Sequence, residues 1–257
     1  MAERRLPVLM YHGLHANAQA HGVFDPVYSV EPRCFEQQLD WLLRQGYRTL
    51  RLREIDTPAA TDKAVVITFD DGDVSNREIA LPLLLERGMT AEFFVTSDFV
   101  GLPGRLSTDD VRALASAGMG VQSHGATHRY LSELTLPELE AELRRSRQLL
   151  ESITGCSVDA LALPGGRGGE RERLTALRLG YQRVLNSAPG ANASGVRDVY
   201  LQRLAITRGL ALDQFATLVQ WRGARARASQ LRYLALTWLK RSLGNRRYEQ
   251  LRERVLR

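Results

Sequence analysis

The stretch "AVVITFDDGD", residues 64–73, decides the fold and poses a chemical question. Its apolar, largely β-branched first half predicts a buried strand, and that strand runs directly into two adjacent carboxylates, Asp70 and Asp71. Neighbouring strand residues point to opposite faces, so both carboxylates reach one pocket only if the backbone turns, which Gly72 permits. Like charges this close repel unless a cation compensates one of them. A plain Asx-type turn that ends the strand is the alternative interpretation.

Strand and helix patterns alternate on both sides of this stretch. Further buried-strand patterns lie at 6–12, 90–95, 120–124, 159–166, 181–187 and 200–207. Amphipathic helix patterns lie at 31–47, 81–88, 107–118, 136–155 and 170–180. This alternation predicts an α/β protein with a parallel sheet, either doubly wound or closed into a barrel. In both architectures the catalytic residues lie where strands end and loops begin.

Composition narrows the class of protein. The 257 residues suit one large domain, and 44% hydrophobic with 25% charged residues is ordinary for a globular protein. Cys34 and Cys156 are far apart, which argues against a disulfide framework or a thiolate zinc site. No run approaches a membrane span, and the N-terminal apolar run is too short for a signal peptide. We therefore expect a cytoplasmic protein, unless a leader lies outside this sequence.

The net charge of +6 is unevenly distributed along the chain. Residues 222–257 hold 11 Lys or Arg and 2 Asp or Glu, whereas residues 1–221 hold 24 and 27. This asymmetry predicts a body at 1–221 that does not bind nucleic acid and a basic extension at 222–257. Apolar residues at helical spacing in the extension predict either helices packed on the body or a basic amphipathic element on an anionic membrane surface.

Two of the five histidines fall four residues apart in "SHGATH", directly after a predicted strand. His124 and His128 have a spacing that lets two imidazoles converge on one metal ion. A single histidine is more often structural, and this spacing alone is a weak signal. With a carboxylate from another strand end, the pair forms a plausible two-His, one-Asp site that leaves positions open for water and substrate.

A third strand ends in the glycine-rich turn of "LALPGGRGG", residues 161–169. It lacks the Gly-Lys-Ser/Thr ending of a phosphate-binding loop. It is either an ordinary loop or a turn that offers a backbone N–H to an oxyanion, since glycine allows close approach.

These three motifs, in this order, resemble the polysaccharide deacetylase family, carbohydrate esterase family four. Residues 68–72 match the family's Thr-Phe-Asp-Asp-Gly motif letter for letter, and His124 to His128 fit its His-Ser/Thr-x-x-His motif with Gly125 in place of Ser/Thr. "PVLMYHGL", "FEQQLDWLLRQGY" and "GMTAEFFVTS" are similar to exopolysaccharide-type bacterial members. The resemblance covers about residues 6–210. It implies a deformed barrel of about seven β/α units and a divalent metal ion, usually zinc.

The resemblance also implies roles for single residues. Asp71, His124 and His128 would be the metal ligands, and Asp70 the general base that takes a proton from the attacking water. The N–H of Gly165 would help to hold the oxyanion, because the family's Arg-x-Pro-Tyr/Phe-Gly motif aligns with residues 162–166.

The chain departs from the family pattern at two places. Ala162 replaces the arginine that orients the base and Gly165 the usual aromatic residue; we hypothesise that Arg167 supplies the lost cation. The late Leu-x-x-His motif with its general-acid histidine is absent, and "LAITR" places Thr207 or Arg208 there. His12, at the end of the first predicted strand, should point into the same mouth. It could contact substrate, serve as the acid, or be merely structural.

The leading functional hypothesis is a metal-dependent N-deacetylase, with zinc the expected divalent ion. Its substrate would be an N-acetylhexosamine of a polysaccharide or of a glycan precursor that could be lipid-linked, and the enzyme would be cytoplasmic or peripheral to the inner membrane. A catalytically impaired carbohydrate-binding or assembly protein on the same scaffold is one alternative. A hydrolase of another non-peptide carbon–nitrogen bond is the other.

Overall fold

The computed structural model describes residues 5–57, 63–190, 192–193 and 199–221. The basic extension at 222–257 lies outside the described residues, so the predictions made for it stay predictions. The strands are β1 (Arg5–Leu6), β2 (Val8–Tyr11), β3 (Arg48–Thr49), β4 (Ala64–Asp71), β5 (Glu92–Val95), β6 (Gly120–Ser123), β7 (Ala160–Ala162), β8 (Arg183–Leu185), β9 (Asn192–Ala193), β10 (Tyr200–Leu201) and β11 (Leu204–Ala205). The α-helices are α1 (Pro32–Arg44), α2 (Leu81–Glu86), α3 (Thr108–Ser116), α4 (Leu136–Thr154), α5 (Glu170–Arg178) and α6 (Leu212–Val219).

One curled parallel sheet organises these elements. Its strand order is β10-β8-β7-β6-β5-β4-β2-β11, with β3 paired beside β4 and every pairing parallel. β1 and β9 form a separate antiparallel pair. The prediction of an α/β fold with a deformed barrel of parallel strands is confirmed.

Successive side chains of β4 point alternately to the two faces of the sheet, and both faces are buried. Val65, Ile67 and Phe69 belong to the large apolar cluster that the helices cover. Ala64 and Val66 belong to a smaller cluster inside the curl of the sheet, together with residues of other strands. A parallel sheet covered on both faces reads as a continuous apolar run, which is what 64–69 shows. Asp70 is therefore delivered to the inner face at the carboxyl end.

The predicted strand 200–207 is in fact two strands with a break at Gln202–Arg203. β10 pairs with β8 at one edge of the sheet, and β11 pairs with β2 at the other edge. The chain thus crosses the gap between the two sheet edges within residues 202–203, and we call this crossing the seam. This seam places Arg203 inside the curl, where it is 1% exposed.

The helix limits follow the local signals that predicted them. α3 begins after Ser107, whose hydroxyl accepts a hydrogen bond from the Asp110 N–H, and α4 ends at Gly155 with a left-handed φ of 67°. The patterns did not predict β1, β3, β9 or α6. The three strands have two residues each, which is too short to show a periodic pattern. Within the described residues, no helix combines the length and the apolar character needed to cross a membrane.

Candidate active site

The carboxyl ends of several strands open into one cavity of about 800 Å³. His12 follows β2, Asp70 and Asp71 end β4, and His124 follows β6; all of them line this cavity. His128, Gly165 and Arg167 line it as well. The structure therefore brings every sequence-predicted site residue to the same cavity, as the strand-end argument predicts.

A left-handed backbone turn lets both adjacent carboxylates face this cavity. Asp71 has φ of 74° and Gly72 has φ of 78°. An aspartate tolerates this region at a cost that glycine does not bear, and such strain is typical of functional sites. Asp70 lies on the inner face of β4 and is 2% exposed, whereas the Asp71 side chain is 23% exposed. The turn thus gives the two neighbours different environments.

Asp71, His124 and His128 form a cluster of three potential metal ligands whose donor atoms lie within 4.8 Å of one another. Oδ1 of Asp71 is 3.3 Å from Nε2 of His124 and 3.2 Å from Nε2 of His128. His128 also has a left-handed φ, of 62°, so two of the three residues sit on strained backbone. The pair of histidines lies on a loop and not on a helical turn.

Glu142 of α4 fixes that loop. Its Oε1 accepts hydrogen bonds from the backbone N–H groups of Ala126 and Thr127 and from the Thr127 hydroxyl, at 2.6–2.9 Å. Glu142 is 8% exposed, so these bonds form away from water. The loop conformation that brings the two imidazoles together is thereby held from outside the cavity.

The hydrogen bond on the far side of His124 orients its ring for metal binding. Nδ1 lies 2.9 Å from the carbonyl oxygen of Ala162, which can only accept, so Nδ1 carries the proton. In the neutral ring, Nε2 then directs its lone pair towards Asp71. Metal-ligating histidines characteristically donate their other N–H in this way.

The donor set fits a divalent cation. Within the described part of the chain, no hydrogen bond of normal geometry reaches the buried Oδ1 of Asp71. Two ligands of one tetrahedral zinc ion at about 2.0–2.1 Å lie roughly 3.3–3.4 Å apart, close to the separations here. Burial raises the pKa of Asp71, but the contacts with His124 and His128 outweigh burial and hold the pKa well below its usual range.

Asp70 is held by an arginine that the sequence motifs do not reveal. Nη1 and Nη2 of Arg203 each lie 2.7 Å from one carboxylate oxygen of Asp70, a bidentate pair. Nε of Arg203 donates to the carbonyl of Asn186, at the end of β8. Burial raises the pKa of Asp70, but the charges of Arg203 and His124 outweigh it and lower the pKa. Asp70 is therefore ionised and able to accept a proton.

This arrangement corrects the hypothesis for Arg167. The cation that replaces the arginine missing at Ala162 is Arg203, which the seam between β10 and β11 places opposite Asp70. Arg167 instead stacks on Tyr130, with its guanidinium carbon 3.8 Å from the ring centroid.

Tyr130 likewise explains the glycine at the aromatic position of the third motif. A Cβ on Gly165 would lie 2.6 Å from Cε1 of Tyr130, and Gly165 has φ of 61°. The Tyr130 ring fills the space beside residue 165, so an aromatic wall reaches the cavity from the loop after β6 and not from the motif itself. Gly165 remains exposed at the cavity, where its N–H stays the candidate oxyanion donor.

His12 stacks on Tyr28 with ring centroids 4.6 Å apart and is partly exposed to the cavity. Its backbone carbonyl accepts a hydrogen bond from Asn76 Nδ2. Burial lowers the pKa of His12, although Asp71 and Asp70 act in the opposite direction. At the late-motif position, Thr207 lines the cavity, whereas Arg208 donates to the carbonyls of His15, Ala16 and Ser29.

Sequence patterns missed the residues that hold the site residues in place. Arg203 gave one readable signal, because "QR" interrupts the apolar pattern of 200–207. Tyr130 and Glu142 gave none, since their roles depend on which strands are neighbours.

Comparisons with known proteins agree with this geometry. Residues 57–184 match the model of the polysaccharide deacetylase family. A polysaccharide deacetylase structure from Bacillus cereus superimposes with a TM-score of 0.76 at 30% identity, covering 84% of this chain and 69% of that one. YxkH of Bacillus subtilis, whose name places it provisionally among the polysaccharide deacetylases, is 29% identical over 222 residues, covering 84% of this chain and 76% of that protein. The Streptococcus pyogenes deacetylase PplD shares the fold, with a TM-score of 0.75 at 23% identity, covering 85% of this chain and 99% of that one.

The fold and the family match together define a hydrolase that acts on carbon–nitrogen bonds other than peptide bonds. The chain belongs to the polysaccharide deacetylase family. The resemblance found in the sequence motifs is thus confirmed, and membership of this family supports deacetylase activity.

Proposed function

We propose that this protein is a metal-dependent N-deacetylase that hydrolyses the acetamide of an N-acetylhexosamine and releases acetate. The substrate is a polysaccharide or a glycan precursor, and the process served is exopolysaccharide biosynthesis. One observation carries the proposal: three metal-type donors within 4.8 Å of one another lie beside a buried aspartate that a bidentate arginine keeps ionised.

Asp71, His124 and His128 hold the cation, and zinc fits the two-nitrogen, one-oxygen donor set. A bound divalent ion supplies Lewis-acid polarisation of the acetamide carbonyl and makes a nearby water more acidic. The chain's own residues do the remaining work. The Asp70 carboxylate takes the proton from the attacking water as the new C–O bond forms, and the Gly165 N–H donates to the developing oxyanion. The same proton then passes from Asp70 to the amine nitrogen as the C–N bond breaks, which releases acetate and the free amino sugar.

Arg203 acts on the reaction through Asp70. It fixes the orientation of the carboxylate with two hydrogen bonds and keeps the pKa low despite burial. His12 forms part of the wall beside this pair. Since burial lowers its pKa, a neutral ring that hydrogen-bonds the substrate fits His12 better than a protonated general acid.

The deciding experiment measures bound metal and released acetate for wild type and Asp70→Asn across acetylated amino-sugar oligomers. We expect metal in both proteins and acetate only from wild type. Bound metal without acetate from any oligomer would favour the carbohydrate-binding alternative. Acetate or amine from a non-sugar amide, but from no amino sugar, would favour the other hydrolase alternative.

A location in the cytoplasm or at the inner membrane also stays a prediction. Residues 222–257, which would contact an anionic membrane, lie outside the described residues. Equal binding of the full chain and of residues 1–221 to anionic vesicles would contradict the membrane contact.

A further inference from the structure

His15 and Asp73 are buried titratable residues that take no part in the proposed reaction. They follow the strand ends that carry His12 and Asp71, and they are 0% and 2% exposed. Nε2 of His15 lies 3.3 Å from Oδ1 of Asp73, and Nδ1 of the same ring lies 2.9 Å from the Ser29 hydroxyl. A polar ring and a carboxylate are costly to bury unless both find partners, so a buried pair of this kind needs an explanation.

His15, Ser29, Asp73 and Ser75 form a polar cluster that binds the backbone of a long irregular loop. Ser75 belongs to the cluster because its hydroxyl donates to Asp73. The β2–α1 loop covers residues 12–29 and contains no helix and no strand of its own. Oxygens of the cluster accept hydrogen bonds from three N–H groups of this loop at 2.7–2.8 Å: Asp73 from Val23, Ser29 from Asp25, and Ser75 from Leu14. Irregular segments of this length are uncommon in compact domains and are usually functional.

The backbone of the β2–α1 loop also packs directly against the His15–Asp73 pair. A Cβ on Gly22 would lie 2.3 Å from Nε2 of His15 and 2.8 Å from both carboxylate oxygens of Asp73. A Cβ on Gly13 would lie 2.3 Å from Cε1 of the same ring. Two glycines thus let the loop contact the pair more closely than any residue with a side chain would allow.

Arg208 binds the carbonyl groups of the same loop. Its guanidinium group donates to the carbonyls of residues 15, 16 and 29, and its backbone N–H donates to the Val27 carbonyl at 2.7 Å. Arg208 is one of the two residues at the position of the absent late histidine. In this chain that position therefore helps to fix the β2–α1 loop.

The loop held in this way forms a large part of the cavity wall. Residues 23–29 line the cavity without interruption. The Tyr28 ring stacks on His12, which joins this wall to the end of β2. Phe24 and Val27 add apolar surface to it. Sites for small organic ligands are typically lined by apolar and aromatic side chains of this kind.

We propose that His15 and Asp73 are positioning residues that hold residues 23–29 as the wall that binds the sugar units of the glycan. This inference rests on the proposed deacetylase function and assigns a glycan-binding surface to it. The pair acts through the wall and not on the reacting atoms. Asp70 and His124 keep their own partners without it, so loss of the pair should weaken glycan binding and leave the chemical step largely unchanged.

Hydrogen exchange tests the holding role without reference to activity. In His15→Ala, amides of the β2–α1 loop should exchange about tenfold faster than in wild type, whereas those of α4 should keep their rates. His15→Gln, whose side-chain amide can replace Nε2 opposite Asp73, should recover part of the protection. His21→Ala is the matched control, because His21 lies in the same loop but is exposed and pairs with Glu78. It should exchange like wild type.

Kinetics with chitin oligomers and added zinc separate positioning from a merely structural role. By the net strength of one hydrogen bond, we expect KM to rise about 3- to 10-fold in His15→Ala, with kcat within about twofold of wild type. His15→Gln should recover part of the affinity, and His21→Ala should keep all of it. A merely structural role would lower kcat through loss of folded enzyme and leave KM unchanged.

Ser29→Ala keeps the proposal testable where His15→Ala does not fold. It removes only the hydroxyl that lies between His15 and the Asp25 N–H, and it should raise KM and loop exchange in the same direction. A fall in kcat at unchanged KM in the folded variants would overturn the proposal. Exchange of the β2–α1 loop at the wild-type rate in these variants would overturn it as well.

Calorimetric titration with the same oligomers distinguishes this failure from failure of the deacetylase proposal. If wild type releases acetate but the affinities of wild type and His15→Ala are equal, the deacetylase stands and the positioning role fails. If no acetate is released from any oligomer but His15→Ala binds the oligomers about 3- to 10-fold more weakly, the positioning role stands and the deacetylase fails.

Discussion

Arg203 reaches Asp70 across 133 residues of sequence and donates a 2.7 Å hydrogen bond to each of its carboxylate oxygens. The two residues meet because the chain crosses from one edge of the curled sheet to the other between β10 and β11. The residue that closes the seam of the barrel is thus also the residue that sets the charge of the proposed base.

Arg203→Met should destabilise the fold strongly. Removal of one partner from a buried ion pair costs about 3–5 kcal/mol, since the remaining charge is left without compensation. Denaturant unfolding checks this value. The control is Arg87→Met, which breaks ion pairs with the more exposed Glu36 and Asp40 and should cost at most about 1 kcal/mol. A similar cost for both variants would contradict the role of the seam.

The pH dependence of activity in the Arg203→Lys variant also tests the Arg203–Asp70 pair. Lysine keeps the positive charge, so this variant should fold more readily than Arg203→Met. In wild type the pKa of Asp70 is lowered, so its contribution to stability is present above the usual carboxyl range and is lost as pH falls through the lowered value. Lysine cannot reproduce the bidentate contact, so burial acts with less opposition. The acidic limb of kcat/KM should move to higher pH. An unmoved limb would show that Arg203 does not tune the base.

Much of the site follows from strand ends, and the remainder depends on which strands become neighbours. The β4 pattern alone predicts a buried strand that places Asp70 and Asp71 at the carboxyl end of the sheet. The motif resemblance predicts that His124 and His128 are metal ligands. The compensations could not be predicted. Arg203 supplies the cation that Ala162 lacks, and Tyr130 supplies the aromatic ring that Gly165 lacks. Both residues come from other parts of the sequence, so only the three-dimensional arrangement shows these replacements. The hypothesis that Arg167 supplies this cation was wrong, because it relied on closeness in sequence and the cation beside Asp70 comes from a distant part of the chain.

Metal binding should depend on all three residues of the Asp71, His124 and His128 cluster. Replacement of any one by Ala should reduce bound metal at least tenfold, since each supplies one of three donors. Elemental analysis after dialysis measures this. His21→Ala is the control, because His21 is exposed and pairs with Glu78 outside the cluster. Chelation should abolish acetate release and leave the fold intact. Full metal content in the His124→Ala protein would contradict the assignment.

Affinity for the metal should fall at acid pH. The pKa of His124 is raised, because Asp70 and Asp71 outweigh the effect of burial, so protons compete for Nε2 at mildly acid pH. Metal titrations between about pH 5 and pH 8 should show weaker binding at the lower end. Binding that does not change over this range would mean that His124 is not a ligand.

Gly165 should tolerate no side chain while Tyr130 is present. Gly165→Ala combines a left-handed φ with a Cβ that would lie 2.6 Å from the Tyr130 ring, so we expect a loss of stability and of kcat. Gly155→Ala is a matched control, since its φ is 67° and nothing lies within 4 Å of its Cβ; it should show the backbone cost alone, about 1 kcal/mol. Adding Tyr130→Ala to Gly165→Ala should recover the stability that the clash removes. Equal losses for Gly155→Ala and Gly165→Ala would show that Tyr130 imposes no constraint.

His12→Gln should weaken substrate binding and keep the shape of the pH profile. Glutamine can still hydrogen-bond a sugar but cannot exchange a proton near neutral pH, so it separates the two roles left open for His12. Because burial lowers the pKa of His12, we expect a several-fold rise in KM with an unchanged basic limb of the pH–rate profile. Tyr28→Phe, which keeps the ring stacked on His12, controls for packing and should change KM less. A lost basic limb with a large fall in kcat in His12→Gln would instead identify His12 as the acid that replaces the absent late histidine.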